Sequence, residues 1–235
     1  MKKILTIVIM SLLPLMASAQ DWRGYRGFFD LYCGMSMGSG ESFSPVHNLE
    51  LSDFRNEATF GFNITGGYQV FPFLFSGVGF GAHTTVVHTS INNFYDDYVD
   101  KYNKHTFYSI YFPVFADFRW TLNINSVVTP FVDVKIGYQF GTPINEGYLT
   151  GYYDVQTSSY NSEIDVRPKS GVYFQPSVGV RFGKGTAFNL GIAYNPSIGK
   201  EFVMVRSLVD SSRATETVVG KSSTGSILLT LGVDF

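Results

Sequence analysis

Apolar and polar residues alternate with period two along eight stretches of this sequence, and that repetition limits the fold more than any other feature. A period of two puts successive side chains on opposite sides of an extended chain, so each stretch reads as a strand with two unlike faces. In the first, about 26–38, Phe29, Leu31, Cys33, Met35 and Met37 oppose Asp30, Tyr32, Gly34 and Ser36. In the fifth, about 129–140, Val132, Val134, Ile136 and Tyr138 oppose Asp133, Lys135, Gly137 and Gln139. The others run over about 59–71, 74–88, 106–120, 171–182, 187–195 and 226–235. Pro113 and Pro176 fall inside two of them, where a residue without an N–H weakens the ladder.

The connections alternate in length. Short ones are expected at 72–73, 122–128 and 183–186, and long ones at 39–58, 89–104, 141–170 and 196–224. This rhythm predicts an all-β fold: a transmembrane antiparallel up-and-down β-barrel of about eight strands, with short periplasmic turns and long extracellular loops.

Alternation alone does not say which face looks outward, but volume does. An eight-stranded barrel encloses little beyond its own packed side chains, and the apolar face, rich in Phe, Tyr, Ile, Leu and Val, is too bulky to fit inside. The opposite face, mostly Gly, Ser, Thr, Asn and Gln with a few charges, suits a narrow polar interior. Charge placement agrees. Of 19 acids, 14 fall in the long connections, Asp30, Asp117, Asp133 and Asp234 face inward, and Asp21 precedes the first strand. Phe71, Phe73, Phe118, Trp120, Phe131, Phe182, Phe188 and Phe235 gather near the short-turn end, as an interfacial aromatic girdle would.

The ends of the chain supply the address. Lys2 and Lys3, an apolar run from Ile4 to Met16, and Ala17-Ser18-Ala19 make residues 1–19 a secretory signal peptide, leaving 20–235 as one barrel domain. The last strand alternates through Leu231 and Val233 to a terminal Phe235, the pattern by which barrel-assembly machinery recognises its substrates. Taken together, the signal peptide, the eight-strand rhythm, segments such as Tyr173-Phe174-Gln175-Pro176-Ser177-Val178-Gly179-Val180-Arg181-Phe182 and the terminal Phe resemble the small outer-membrane β-barrel, or porin-like, family of Bacteroidetes, similar in architecture to the OmpX and OmpA barrels. The resemblance implies an outer-membrane location among lipid and lipopolysaccharide, assembly as a monomer, and no particular activity.

Asp30, Asp117, Arg119, Asp133, Lys135, Arg181 and Asp234 carry the inward charge. Buried charges need partners, so these seven are expected to form an ion-pair network that fills the lumen; a narrow gated ion path lined by the same groups is the alternative. In a hairpin turning at 122–128, opposing residue numbers have a constant sum. One register therefore sets Asp117 opposite Lys135 and Arg119 opposite Asp133.

Catalysis has little behind it. His88-Thr89-Ser90 resembles the H-x-S of lipid A deacylases, but no carboxylate is placed to orient the histidine unless Asp96, Asp97 or Asp100 folds back. His83 reads as a hydrogen-bonded lumen residue, and no H-x-x-x-H metal spacing occurs. Neither a cofactor nor a metal is expected. The net charge of −2 gives no basic footprint for nucleic acid, and the single Cys33 reads as a small outward apolar residue. Aromatic and acidic groups in Phe94-Tyr95-Asp96-Asp97-Tyr98 and Tyr148-Leu149-Thr150-Gly151-Tyr152-Tyr153-Asp154 suit an extracellular carbohydrate or protein ligand or the divalent ions of lipopolysaccharide. The expected role is structural or surface-interacting, with a small channel or a lipid A hydrolase as alternatives.

Overall fold

The computed structural model describes residues 24–37, 43–46, 49–93, 103–122, 126–143, 149–151, 160–208 and 214–235, with side chains over 24–35, 58–86, 108–122, 126–142, 167–195 and 225–235. In chain order the strands are β1 (Tyr25–Met37), β2 (Phe43–Val46), β3 (Leu49–Phe71), β4 (Leu74–Asn93), β5 (Asn103–Thr121), β6 (Val128–Pro143), β7 (Leu149–Gly151), β8 (Tyr160–Lys169), β9 (Gly171–Phe182), β10 (Ala187–Leu208) and β11 (Ala214–Asp234). Eight of them, β1, β3, β4, β5, β6, β9, β10 and β11, pair antiparallel in that order, and β1–β11 pairing closes the ring. Of the three remaining strands, β2 pairs with the start of β3, β8 with the later part of β10, and β7 with β8.

The three short turns stand where the alternation put them: Pro72 and Phe73 between β3 and β4, 122–127 between β5 and β6, and 183–186 between β9 and β10. Gly183 and Gly185 take positive φ values of 128° and 75°, a backbone region that side chains other than glycine's seldom enter. The long connections differ from expectation. Much of each is strand: β3 begins at Leu49, β4 runs to Asn93, β10 to Leu208, and β11 begins at Ala214. Polar residues beyond the lipid level leave no apolar alternation to read, yet the ladder continues through them. Neither proline ends its strand; Pro113 lies within β5 and Pro176 within β9.

The barrel inverts the arrangement of a soluble protein. Leu31, Phe60, Val78, Phe80, Val114, Ile136, Val178, Ile192 and Leu229 are 47–70% exposed, whereas Asn63, Thr65, Gln69, His83, Thr85, Asp117, Asp133 and Gln139 are at most 2% exposed. An apolar band of this extent is what hydrocarbon would cover.

The lumen is less polar than the sequence suggested. Phe28, Tyr32, Phe75, Tyr111, Phe115, Phe131 and Tyr173 are all buried in it. Phe131, assigned above to the girdle, shares the alternation of Asp133 and lies inside. Inward glycines seat these rings: Phe115 stands opposite Gly79 and Gly137, and Phe131 opposite Gly179. A Cβ on Gly79 would meet Phe115 Cε2 at 2.6 Å, and one on Gly179 would meet Phe131 Cζ at 2.6 Å. The girdle keeps Phe71, Phe73, Trp120, Phe182 and Phe188 on the outside. Closure reaches the last residue, where Gly27 N–H donates to Phe235 O at 2.7 Å and Phe235 N–H returns to Gly27 O at 3.0 Å. Leu231 and Val233 lie in the same ladder, opposite Leu31 and Phe29.

Candidate functional site

Five charged side chains meet at one level of the bore. Asp117 and Arg119 come from β5, with Lys135 and Asp133 directly opposite on β6, the register expected from the constant sum. Asp30 comes from β1, separated from β5 by two strands, so its bonds cross the lumen. Arg119 Nη2 donates to Asp30 Oδ2 and to Asp133 Oδ2, both at 3.3 Å. Lys135 Nζ donates to Asp133 Oδ2 and lies 3.4 Å from Asp30 Oδ2 and 3.7 Å from Asp117 Oδ2. Ser177 Oγ on β9 adds a bond to Asp133 Oδ2 at 3.4 Å. The Arg119 guanidinium lies between two rings, 4.0 Å from the Phe28 centroid and 4.8 Å from that of Phe131, where cation–π attraction offsets part of its lost hydration.

The other two charges form a separate clamp. Arg181 Nε donates to Asp234 Oδ2 at 2.6 Å and Nη2 to Oδ1 at 3.3 Å, a two-pronged pairing that fixes orientation as well as charge. The same guanidinium reaches Gly183 O at 2.9 Å and Gly185 O at 2.7 Å, tying β9, β11 and the 183–186 turn together. Arg26, not among the seven expected charges, has the same alternation as Asp30 and donates to Gln69 Oε1 at 3.4 Å. Among the described residues the lumen thus holds four cations, Arg26, Arg119, Lys135 and Arg181, against Asp30, Asp117, Asp133 and Asp234.

On the other side of the five-charge layer the lumen turns aromatic. Asn63 Nδ2 donates to Gln175 Oε1 at 2.9 Å and to Tyr173 OH at 3.3 Å, and Tyr173 OH donates to Gln175 Oε1. Tyr32 OH and His83 Nδ1 are 3.4 Å apart, and the His83 ring stacks on Tyr111 at 5.1 Å. The cavity bounded by Asp30, Arg119, Asp133, Lys135, Gln175 and Ser177 is about 10 Å³, the space of about one water. This arrangement bridges the bore from β1 to β5 and β6 with ion pairs.

Of the other candidates, Cys33 is exposed on the outer face. His88 and His105 lie in β4 and β5, opposite Thr106 and Thr89, but their side chains, with that of Ser90, lie outside the described ones. Residues 1–23, His47, Asp96, Asp97, Asp100, the aromatic-acidic segment 94–98 and, of the segment 148–154, Tyr148 and 152–154 lie outside the described residues altogether, while 149–151 form β7.

No protein-family model matches the sequence, and comparison with curated proteins finds no match. Among solved structures the chain is similar to the outer membrane protein OprG from Pseudomonas aeruginosa (TM-score 0.51, 9% identity, 90% of this chain and 96% of that one). It is also similar to the outer membrane protein AlkL (0.44, 15%, 93% and 92%) and to Neisserial surface protein A (0.43, 13%, 89% and 95%). At 9% identity the likeness to OprG establishes the fold alone, a closed, all-antiparallel eight-stranded β-barrel of the kind found in outer-membrane proteins.

Proposed function

We propose that this chain is an integral outer-membrane β-barrel, exported by residues 1–19 and folded by the barrel-assembly machinery, with a structural or surface-interaction role and no enzymatic activity. It works as a monomer among lipid and lipopolysaccharide, and its extracellular connections meet any ligand. The observation that carries this reading is the pairing of an apolar, half-exposed outer wall with a lumen crossed by Arg119 and Lys135 bonds to Asp30. A wall of that kind is stable in hydrocarbon, and a bore so bridged does not conduct.

The test is reconstitution of the chain in planar bilayers, with folding verified by its faster migration when unheated. Folded protein without conductance steps is the expected result. Discrete ion-conducting steps would replace this reading by the small-channel one, and altered lipid A masses in expressing cells would replace it by the hydrolase.

A further inference from the structure

The two prolines of the barrel wall have different consequences. Near Pro113 the β4–β5 ladder steps from Phe80↔Val114 to His83↔Tyr111 and resumes in the same register. At Pro176 the β9–β10 ladder stops. Its last pair is Ala193↔Ser177, and β10 is next paired on that side at Gly199, with Lys169 of β8 and in a shifted register. Both flanks hold across this stretch: 171–176 stay paired to β6, and Tyr194 and Asn195 to β11. The result is a seam along one strand boundary.

The seam lies at lipid level, with Val172, Phe174 and Tyr194 exposed on the outer face. A ladder interrupted there runs against the rule that hydrocarbon leaves backbone groups no partner but each other, and Pro176 eases the conflict by having no N–H to satisfy. Behind the seam Tyr32, Ala193 and Leu228 form a buried apolar cluster. Tyr173 is buried in the same lumen, its ring 5.5 Å from that of Phe115. Among the described residues no ladder pair spans this stretch of the boundary, so parting it breaks no ladder.

The position of the seam relative to the ionic layer gives it a direction. Its lower end is Ser177, whose hydroxyl bonds Asp133, so it begins at the top of the layer and rises toward the extracellular mouth. Below it the ion pairs of Arg119 and Lys135 with Asp30 bridge the bore. Above it the lumen-side face carries Pro168, close to Gly141 and Tyr111. Above the layer the described lumen side chains include Tyr32, Tyr111, Phe115 and Tyr173, so a solute entering from outside meets aromatic rings, the bridged layer beneath them and a parting wall beside them.

We propose that the β9–β10 seam is a sideways passage by which small uncharged apolar molecules move between the extracellular mouth and the membrane hydrocarbon. This rests on the outer-membrane reading above. Ions are refused by the layer, and charged solutes by the lipid at the exit.

The test measures the initial uptake rate of the fluorescent apolar probe N-phenyl-1-naphthylamine by intact Gram-negative cells making the full chain. Wild-type protein should raise the rate several-fold over cells lacking it. In a Cys33→Ala background, Pro176→Cys with Tyr194→Cys places thiols where the next ladder pair would fall. Oxidation should return uptake to the level of cells without the protein, and reduction should restore it. The same treatment of Val114→Cys with Tyr138→Cys, direct partners in β5 and β6, should change nothing. Should the seam cysteines fail to bond, Pro176→Val, which restores an N–H and lets the ladder continue, must by itself slow uptake. Folded protein in the outer membrane whose uptake is unaffected by cross-link and by Pro176→Val overturns the passage. Folded protein absent from the outer membrane overturns the location reading instead.

Discussion

Asp117 and Lys135 are direct ladder partners across β5 and β6, with the carboxylate 3.7 Å from the ammonium, and Lys135 is shared with Asp30 and Asp133. No pair in this layer is independent of the others. That interdependence governs how it responds to mutation.

Arg119→Ala strips Asp30 and Asp133 of a shared donor. An uncompensated buried charge costs about 3–5 kcal/mol, so the folded barrel should lose that order of stability in urea titrations with lipid vesicles. Adding Asp133→Ala removes one of the stranded carboxylates, and the double variant should lose less than the two single losses combined. Additive losses would mean that the two residues are uncoupled.

Asp133 and Asp117 should differ although both are fully buried. Asp133 accepts from Arg119, Lys135 and Ser177, whereas Asp117 has one ion pair with Lys135. Asp133→Asn is expected to cost about 3 kcal/mol or more and Asp117→Asn roughly 1 kcal/mol. The same urea titration checks the order, which a larger loss for Asp117→Asn would reverse.

On the outer face the cost of a cation should depend on depth. Ile136 lies in the middle of β6 and Val128 at its start, beside the short turn, both exposed. Ile136→Arg should cost about 2–4 kcal/mol and Val128→Arg no more than about 1 kcal/mol, read as folded yield in vesicles. Equal yields would place the hydrocarbon elsewhere. Lumen positions are poor controls, because Gln175 is tightly packed and accepts from Asn63 and Tyr173.

Two glycines should respond in opposite directions to the same added methyl group. A Cβ on Gly66 would have nothing within 4 Å, whereas one on Gly79 would meet Ile64 O and Phe115 Cε2, both at 2.6 Å. Gly66→Ala should therefore gain up to about 1 kcal/mol by restricting the unfolded chain, and Gly79→Ala should lose about 1–3 kcal/mol. Thermal denaturation in detergent distinguishes them, and Phe115→Leu should recover part of the Gly79→Ala loss.

The sequence carried the strand count, the face assignment, the short turns and the register of the β5–β6 hairpin, because each depends on period two or on turn length. It carried much less of what fills the bore. Alternation shows that Phe131 and Asp133 face the same way, but only three-dimensional adjacency shows Gly179 leaving room for that ring. Asp30 gave no sign of its partners, since β1 reaches β5 across the lumen and no local rule links them. The end of the β9–β10 ladder was equally hidden: Pro113 and Pro176 look alike in sequence, and only the neighbouring strands decide which one breaks its ladder.

The equal numbers of cations and anions among the described lumen residues have an electrical consequence. A bore with no net fixed charge has no preference for the sign of a permeating ion. Any leak opened by substitution should take its selectivity from the partner left behind. Loss of Arg119 would leave an excess of carboxylate and favour cations, and loss of Asp133 would favour anions, so the reversal potential in asymmetric salt would report which half of the layer had been removed.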